Sequence, residues 1–292
     1  MQADLFLTIE IHPVKNKLFT EAIDNLPPLR EIISAYKLDT KPSLGQHFLH
    51  DLNLTKRIAR VAGNLQDYDI LEIGPGPGGL TRALLGAGAR KIVAVERDPR
   101  CVAALEDLVH LSNGRLRVIE ADALKFKINS FLTPPCKVVS NLPYNISTIL
   151  LVKWLHEVSF FKNFTLMFQK EVANRLISTS GKSYGRLSII AQWCCKVKLE
   201  FNVDKKAFKP QPTVQSSVIN LTPHSTKRAL IKLEDLETVT KLAFGQRRKM
   251  LKSSLKSIGL DTSKVNIDPR LRAEALTVDQ FGKLAHLLSK TF

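Results

Sequence analysis

The part of the chain best suited to chemistry is a glycine-rich segment, residues 74–79 (GPGPGG). It satisfies the GxGxxG pattern, in which glycines let a ligand approach the backbone closely. An apolar strand pattern at 69–73 precedes the segment, and a helical pattern follows it. Glu96 ends the next strand pattern, where its carboxylate could accept hydrogen bonds from both hydroxyls of a ribose. These features fit a nicotinamide cofactor or S-adenosylmethionine.

Two later polar positions distinguish these cofactors. Asp122 ends the third strand pattern and could bind the amino group of an adenine, while the tetrapeptide 141–144 (NLPY) ends the fourth. The Asn141 side-chain oxygen and the carbonyl of Leu142 or Pro143 can accept the two N–H bonds of an exocyclic amine. The Tyr144 ring can stack on the same base. Methylation of an amino group requires such acceptors and hydride transfer does not, so the pattern favours S-adenosylmethionine.

These residues need a common edge of a sheet. Strand and helix patterns alternate from residue 69 to about 176, which predicts right-handed crossovers and a mostly parallel α/β sheet covered on both faces. The carboxyl ends of its strands would bring Glu96, Asp122 and Asn141 together. The strand patterns at 197–203 and 218–221 lack a comparable helix between them and predict an antiparallel pair at one edge. From about residue 225 the pattern is helical.

Composition narrows the class of protein. The chain has 292 residues, and 44% of them are hydrophobic, which excludes a largely disordered chain. It contains no apolar stretch long enough to span a membrane. Lys and Arg (43) exceed Asp and Glu (27) by 16, which favours a polyanionic partner such as nucleic acid. The four cysteines show no zinc-type spacing, so we expect reduced thiols and no metal site. No secretory or mitochondrial targeting pattern is visible, and we expect a cytoplasmic protein.

Several motifs, in order along the chain, resemble those of the ribosomal RNA adenine N6,N6-dimethyltransferases, above all the bacterial KsgA type. The motifs are QHFL (46–49), EIGPG (72–76), VERD (95–98), Asp122, NLPYNIS (141–147), FKPQPTV (208–214), FGQRRKML (244–251) and RAEAL (272–276). The resemblance extends from about residue 44 to 287. It implies a Rossmann-like class I methyltransferase sheet followed by a small C-terminal all-α domain.

The resemblance also implies a reaction and its site. The cofactor would be S-adenosylmethionine, and the substrate two adjacent adenosines near the 3′ end of 16S rRNA, in the small ribosomal subunit or its precursor, each methylated twice. The implied cofactor-binding residues are His47, Leu49, Gly74, Glu96, Asp122 and Asn141. The family usually has Asn where this chain has His47; both side chains can donate a hydrogen bond.

Further expectations concern the substrate. The target amine would be held by Asn141 and by Leu142 or Pro143, between Tyr144 on one face of the base and Phe208 on the other. Six basic residues would bind RNA phosphates and make binding salt-dependent. They are Arg247, Arg248 and Lys249 in one turn, and Lys205, Lys206 and Lys209 beside Phe208.

The sequence suggests three parts: a variable arm (1–27), a methyltransferase domain (28–224) and a helical RNA-binding domain (225–292). We expect a monomer. Two alternatives stay open: methylation of large-subunit (23S) rRNA, as in macrolide-resistance enzymes, and a non-catalytic nucleic-acid-binding factor on the same scaffold. A nicotinamide dehydrogenase is a more distant third.

Overall fold

The computed structural model describes residues 13–38, 46–225, 231–246 and 248–290. Within these residues, nine strands form two sheets. They are β1 (Phe48–Leu49), β2 (Asp69–Ile73), β3 (Lys91–Glu96), β4 (Leu116–Glu120), β5 (Cys136–Asn141), β6 (Phe161–Gln169), β7 (Cys195–Val203), β8 (Phe208–Lys209) and β9 (Ser216–Pro223).

The main sheet has seven strands in the order β4-β3-β2-β5-β6-β9-β7. The first five strands pair in parallel, and β9 pairs antiparallel with both β6 and β7. The predicted α/β sheet with an antiparallel edge is therefore confirmed. A second, two-stranded sheet joins β1 and β8 antiparallel, with Phe48 opposite Lys209 and Leu49 opposite Phe208.

Twelve α-helices connect and flank these strands in the described residues. They are α1 (Pro13–Asp24), α2 (Leu29–Ala35), α3 (Leu52–Val61), α4 (Gly79–Gly86), α5 (Pro99–Ala103), α6 (Glu106–Leu111), α7 (Ser147–His156), α8 (Lys170–Ile177), α9 (Arg186–Cys194), α10 (Leu233–Gly245), α11 (Leu251–Ser254) and α12 (Val278–Ser289). None of them has the length and apolar character needed to cross a membrane.

The central strand β2 shows why the sheet is buried on both faces. All five of its residues are buried. Leu71 and Ile73 belong to one apolar cluster and Ile70 to another, because successive side chains of a strand point to opposite faces. Such near-continuous burial is typical of parallel strands covered by helices on both sides.

The C-terminal helices form a third apolar cluster, which includes residues of the preceding region. Tyr184 and Ile189 of that region pack with Leu236 and Phe281, and the Tyr184 hydroxyl donates to the Leu276 carbonyl at 2.9 Å. From residue 231 onward the described residues are mostly helical, and α10 and α12 pack against α9. Within the predicted arm, residues 13–24 form α1, and Ile23 is buried in the cluster beneath β2.

Candidate functional site

The largest group of predicted site residues lines one cavity at the carboxyl ends of the parallel strands. The glycine turn after β2 and the ends of β3, β4 and β5 each contribute to its wall, and the segment before β1 completes it. The cavity thus brings together His47, Gly74, Glu96, Asp122, Asn141, Leu142, Pro143 and Tyr144. This is the position at which open α/β sheets bind ligands.

The glycine turn fits closely against its surroundings. Gly76 has a φ of +56°, and a Cβ atom there would lie 2.8 Å from Cδ1 of Phe48. Its N–H donates to Oε2 of Glu96 at 3.1 Å. Any larger residue would therefore strain the backbone and push Phe48 away, which explains the glycine in physical terms.

The Glu96 carboxylate is fixed almost entirely by backbone donors. Oε1 accepts hydrogen bonds from the N–H groups of Arg97 (2.7 Å) and Asp98 (2.9 Å), and Oε2 accepts from Gly76. Burial raises the pKa of Glu96, while these N–H donors act in the opposite direction. Because each carboxylate oxygen can accept two hydrogen bonds, Oε2 retains capacity for one ligand hydroxyl.

A second carboxylate, that of Asp98, connects the turn after β3 to the segment before β1. Gln46 donates from Nε2 to Oδ2 of Asp98 at 3.1 Å, and Arg100 donates from Nη2 to the same oxygen at 2.7 Å. The hydrogen bonds from Arg100 hold the pKa of Asp98 well below its usual range. Asp98 thus remains ionised and helps to hold residues 46–49 beside the cavity.

Asp122 follows β4 in a tight turn. Its Oδ1 accepts the N–H of Leu124 at 2.9 Å, an arrangement that fixes the position of the side chain. The residue lines the cavity next to Ala121 and Ala123. The side chain is therefore placed where the sequence predicted it, at the carboxyl end of its strand.

The NLPY segment begins in the last residue of β5. Asn141 donates from Nδ2 to the His47 carbonyl at 3.2 Å. The Tyr144 hydroxyl lies 2.6 Å from Oγ of Ser216, and its ring centroid lies 5.4 Å from that of His47. The Pro143 carbonyl accepts the N–H of Ile146 at 3.2 Å. The sequence predicted that the carbonyl of Leu142 or Pro143 accepts a hydrogen bond from an amine. Because the Pro143 carbonyl already accepts a backbone hydrogen bond, the Leu142 carbonyl is the better candidate.

Two predicted residues lie elsewhere. Phe208 is 2% exposed, packs in the cluster beneath the sheet and does not line the main cavity. The structure therefore does not place its ring against a base in the cavity, because pairing of β1 with β8 leaves Phe208 in the core. Leu49, opposite it in register, lines a small adjoining cavity together with Glu72.

Glu72 is a buried carboxyl to which the sequence reasoning gave no role. It is 1% exposed, and its Oε2 makes no well-formed hydrogen bond in the described part of the chain, although the buried Thr81 hydroxyl lies close enough to the carboxyl to lower its pKa. Burial raises its pKa to about 8, and the nearby Glu96 acts in the same direction. The sequence feature that could have pointed to Glu72 is the presence of an acidic residue inside the apolar strand pattern DILEI. No such feature pointed to Ser216, the partner of Tyr144, because their contact joins segments that are 72 residues apart in sequence.

The predicted RNA-binding residues lie on different elements. Arg248 and Lys249 are exposed in the turn between α10 and α11, and Arg247 lies outside the described residues. Lys205 donates to the Thr213 carbonyl. Lys206 lines a surface groove with Arg57 and Arg60, while Lys209 lines another with Arg30 and Lys37.

Comparison with known proteins relates this geometry to a family. A family model described as ribosomal RNA adenine dimethylase matches residues 37–290. The chain belongs to the ribosomal RNA adenine dimethylase family. This dimethylase is 50% identical over 266 residues to a protein of Rhodospirillum rubrum named ribosomal RNA small subunit methyltransferase A, covering 90% of this chain and 92% of that one. A protein of the same name from Paramagnetospirillum magneticum is 51% identical over 268 residues, covering 90% and 95% of the two chains.

Two solved structures resemble this dimethylase. A dimethyladenosine transferase from Plasmodium falciparum superposes with a TM-score of 0.71 and 26% identity, covering 84% of this chain and 98% of that one. The 23S rRNA methyltransferase ErmE superposes with a TM-score of 0.63 and 25% identity, covering 83% and 99%. Both support the Rossmann-like methyltransferase fold.

Proposed function

We propose that the protein dimethylates N6 of two adjacent adenosines near the 3′ end of 16S rRNA, in the small ribosomal subunit or its precursor, with S-adenosylmethionine as methyl donor. The observation that carries the proposal is the placement of the Asn141 amide in one cavity with the carboxylates of Glu96 and Asp122. The names of the relatives at about 50% identity support the choice of the small subunit.

The residues present suit this cofactor. Oε2 of Glu96 has remaining acceptor capacity for a ribose hydroxyl, and the carboxylate of Asp122 can accept from an adenine amino group. The glycine turn and the His47 and Leu49 segment would enclose the rest of the molecule. When bound, S-adenosylmethionine supplies an electrophilic methyl group on a positively charged sulfur.

The protein's own contribution to transfer is positioning. An adenine amino group is a poor nucleophile because its lone pair is delocalised into the ring. Asn141 Oδ1 and the Leu142 carbonyl would accept its two N–H bonds and favour a more tetrahedral nitrogen, directed at the methyl group. We assign no residue as a base that removes a proton beforehand; the nitrogen–methyl bond would form as the sulfur–methyl bond breaks, and one N–H proton would then leave the nitrogen for solvent. Positioning and electrostatics thus supply the rate.

Tyr144 would stack on the target base at the cavity wall. The base must leave its own stack to enter, at a cost of about a few kcal/mol. The cavity must also accept the monomethylated base for a second transfer, which steady positioning of the Tyr144 ring would favour.

The basic residues would hold the surrounding RNA. We infer that the helical region 225–292 contributes Arg247, Arg248 and Lys249, and that Lys205, Lys206 and Lys209 bind phosphates beside the catalytic domain of residues 28–224. Such contacts make affinity fall steeply with salt. We further propose that the enzyme acts as a monomer in the cytoplasm, where ribosomal subunits assemble.

The deciding experiment uses tritiated S-adenosylmethionine with unmethylated small subunits and with large-subunit rRNA in parallel, followed by nucleoside analysis. Label recovered as N6,N6-dimethyladenosine near the 3′ end of 16S rRNA is the expected result. Label only in large-subunit rRNA would support the macrolide-resistance type of reaction instead. If neither RNA is labelled and the protein still binds S-adenosylhomocysteine, the protein has a different substrate or a non-catalytic binding role.

A further inference from the structure

One residue of the cavity wall, His47, contacts three residues of two distant segments: Asn141 and Tyr144 of the NLPY segment, and Pro210 after β8. Its backbone carbonyl accepts from Asn141 Nδ2 at 3.2 Å, its ring Nδ1 lies 3.0 Å from the Pro210 carbonyl oxygen, and its ring faces Tyr144 at 5.4 Å. Asn141 lies 94 residues away in sequence and Pro210 lies 163 residues away. His47 is therefore a junction between elements that the chain order keeps apart.

The contact with Asn141 determines which end of the amide faces the substrate. The His47 carbonyl can only accept, so the nitrogen end of the Asn141 amide must point toward it. The oxygen end is then directed away from His47 and is available as an acceptor. In the proposed reaction the amine donates N–H, so this is the orientation that methyl transfer requires.

The contact with Pro210 fixes the ring of His47. A carbonyl oxygen has no proton to donate, so Nδ1 of the imidazole must carry the hydrogen of this bond. The backbones of β1 and β8 pair at Phe48–Lys209 and Leu49–Phe208. The imidazole extends this connection by one residue, at the end of the ladder where His47 lines the cavity.

The contact with Tyr144 completes the arrangement. The Tyr144 ring lies against His47 on one side, tilted by 33°, while its hydroxyl lies 2.6 Å from Oγ of the fully buried Ser216. A ring supported at two points has little freedom to rotate. The plane on which a base would stack is thus set jointly by His47 and Ser216.

We propose that His47 is a positioning residue for methyl transfer, beyond its predicted place in the cofactor shell. It couples the orientation of the Asn141 amide, which would hold the amine, to the plane of the Tyr144 ring, which would hold the base. The Pro210 carbonyl is the anchor that keeps the imidazole in place. This inference rests on the proposed function.

The test compares His47→Ala, His47→Asn and His47→Phe in kcat, in KM for RNA and in the affinity for S-adenosylhomocysteine. Alanine removes the ring contact and the donor, asparagine keeps a donor, and phenylalanine keeps a ring. We expect His47→Ala to lower kcat at saturating cofactor by about 10- to 100-fold, with cofactor affinity changed less than about threefold. Asparagine and phenylalanine should each restore part of kcat.

A second readout follows the target base directly. RNA with 2-aminopurine at a target position should become more fluorescent on binding the wild-type protein, and less so on binding His47→Ala. The effects of His47→Ala and Ser216→Ala on kcat should also be non-additive, since both act through Tyr144. The matched control is His110→Ala, an exposed histidine on α6 whose Nδ1 lies 2.9 Å from the Glu106 carbonyl oxygen; its kcat should equal that of wild type.

Two results would overturn the inference. In one, His47→Ala weakens cofactor binding as much as it lowers kcat/KM and leaves kcat intact, which assigns His47 to cofactor binding alone. In the other, activity falls only in proportion to the folded fraction, which assigns it to stability. Wild-type protein measured alongside separates the two proposals: if it fails to methylate small subunits, the proposed function fails, whereas wild-type-like turnover of His47→Ala refutes only the positioning role.

Discussion

The two ends of the cavity are built in different ways. At the proposed cofactor end, Glu96 is held by the N–H groups of its two successors in the chain and by Gly76, 20 residues before it. At the proposed amine end, Asn141 depends on His47, 94 residues away, and Tyr144 depends on Ser216, 72 residues away. Residues of two neighbouring strand–turn units form the first end, whereas residues far apart in sequence form the second.

The two ends therefore depend on different parts of the fold. A parallel strand pair and its glycine turn suffice to place Glu96, so that end should tolerate changes in distant packing. The amine end needs β1, β5, β8 and β9 in their correct relative positions. We therefore expect distant packing changes to affect methyl transfer more than cofactor binding, and substitutions at each end can test this expectation.

Phe208→Ala should have the largest effect. The ring is 2% exposed in the core that supports β1, and its removal should destabilise the fold by about 3–5 kcal/mol. Thermal unfolding measures the loss, and kcat per folded molecule should fall less than total activity does. If the melting temperature is unchanged while kcat collapses, Phe208 reaches the base during the reaction, as the sequence first suggested.

Asn141→Ala tests the amine end alone. Loss of the amide should lower kcat by about 100- to 1,000-fold, or about 2.7–4 kcal/mol in the transition state, because the acceptor of the amine N–H is lost. RNA affinity should change less than about twofold. Asn129→Ala, an exposed amide outside the cavity, is the control. Near-normal turnover in Asn141→Ala would eliminate the proposed mechanism.

Glu96→Gln tests the cofactor end. The amide nitrogen cannot accept, so one of the backbone N–H groups now bonded to the carboxylate would lose its partner. We expect S-adenosylhomocysteine to bind about 30-fold more weakly, corresponding to about 2 kcal/mol, with kcat at saturating cofactor largely preserved. Isothermal titration measures the affinity. An equal loss in kcat would show that the two ends are coupled more tightly than the structure indicates.

The positions of residues at the proposed cofactor end were easier to predict from the sequence than those at the proposed amine end, for the same reason. Glu96 and Asp122 follow strand patterns whose carboxyl ends must meet, so their common edge was predictable from order alone. The roles of Ser216 and of the Pro210 carbonyl depend on the register of β1 with β8 and on the place of β9 in the sheet, which local patterns do not encode. Phe208 shows the same difficulty: its segment was recognisable, but the side to which its ring points depends on long-range pairing.

Helix boundaries show a further difference between local and distant information. Residues 100–109 have a helical pattern, but the structure ends α5 at Ala103 and begins α6 at Glu106. Leu105, between them, is fully buried, and a Cβ atom on Gly78 would lie 2.7 Å from its Cδ2 atom. The helix is thus interrupted at the residue that packs closely against the glycine turn, and nothing in the local sequence pattern reveals this contact.

The last expected effect is on stability rather than activity and concerns Glu72, which lines the small cavity with Leu49 and Asn141. Its pKa is raised by burial to about 8, against 4.5 for an exposed carboxyl, so the folded protein keeps a proton that the unfolded chain has already lost at neutral pH. The unfolded state therefore binds fewer protons between these values, and the free energy of unfolding should fall as pH rises from about 4.5 to 8. The steepest slope is about 1.4 kcal/mol per pH unit for one group.

Glu72→Gln should remove most of this slope, because glutamine is neutral at every pH in the window. Glu96, whose pKa burial also raises, contributes with the same sign and remains in the variant. Denaturant unfolding at pH 5, 6, 7 and 8 measures the slope, with the exposed Glu106→Gln on α6 as the control. If wild type and Glu72→Gln lose stability equally with pH, Glu72 is ionised in the folded protein. The carboxyl would then need a cationic or donating partner in solution, and the cavity beside Leu49 is where that partner would bind.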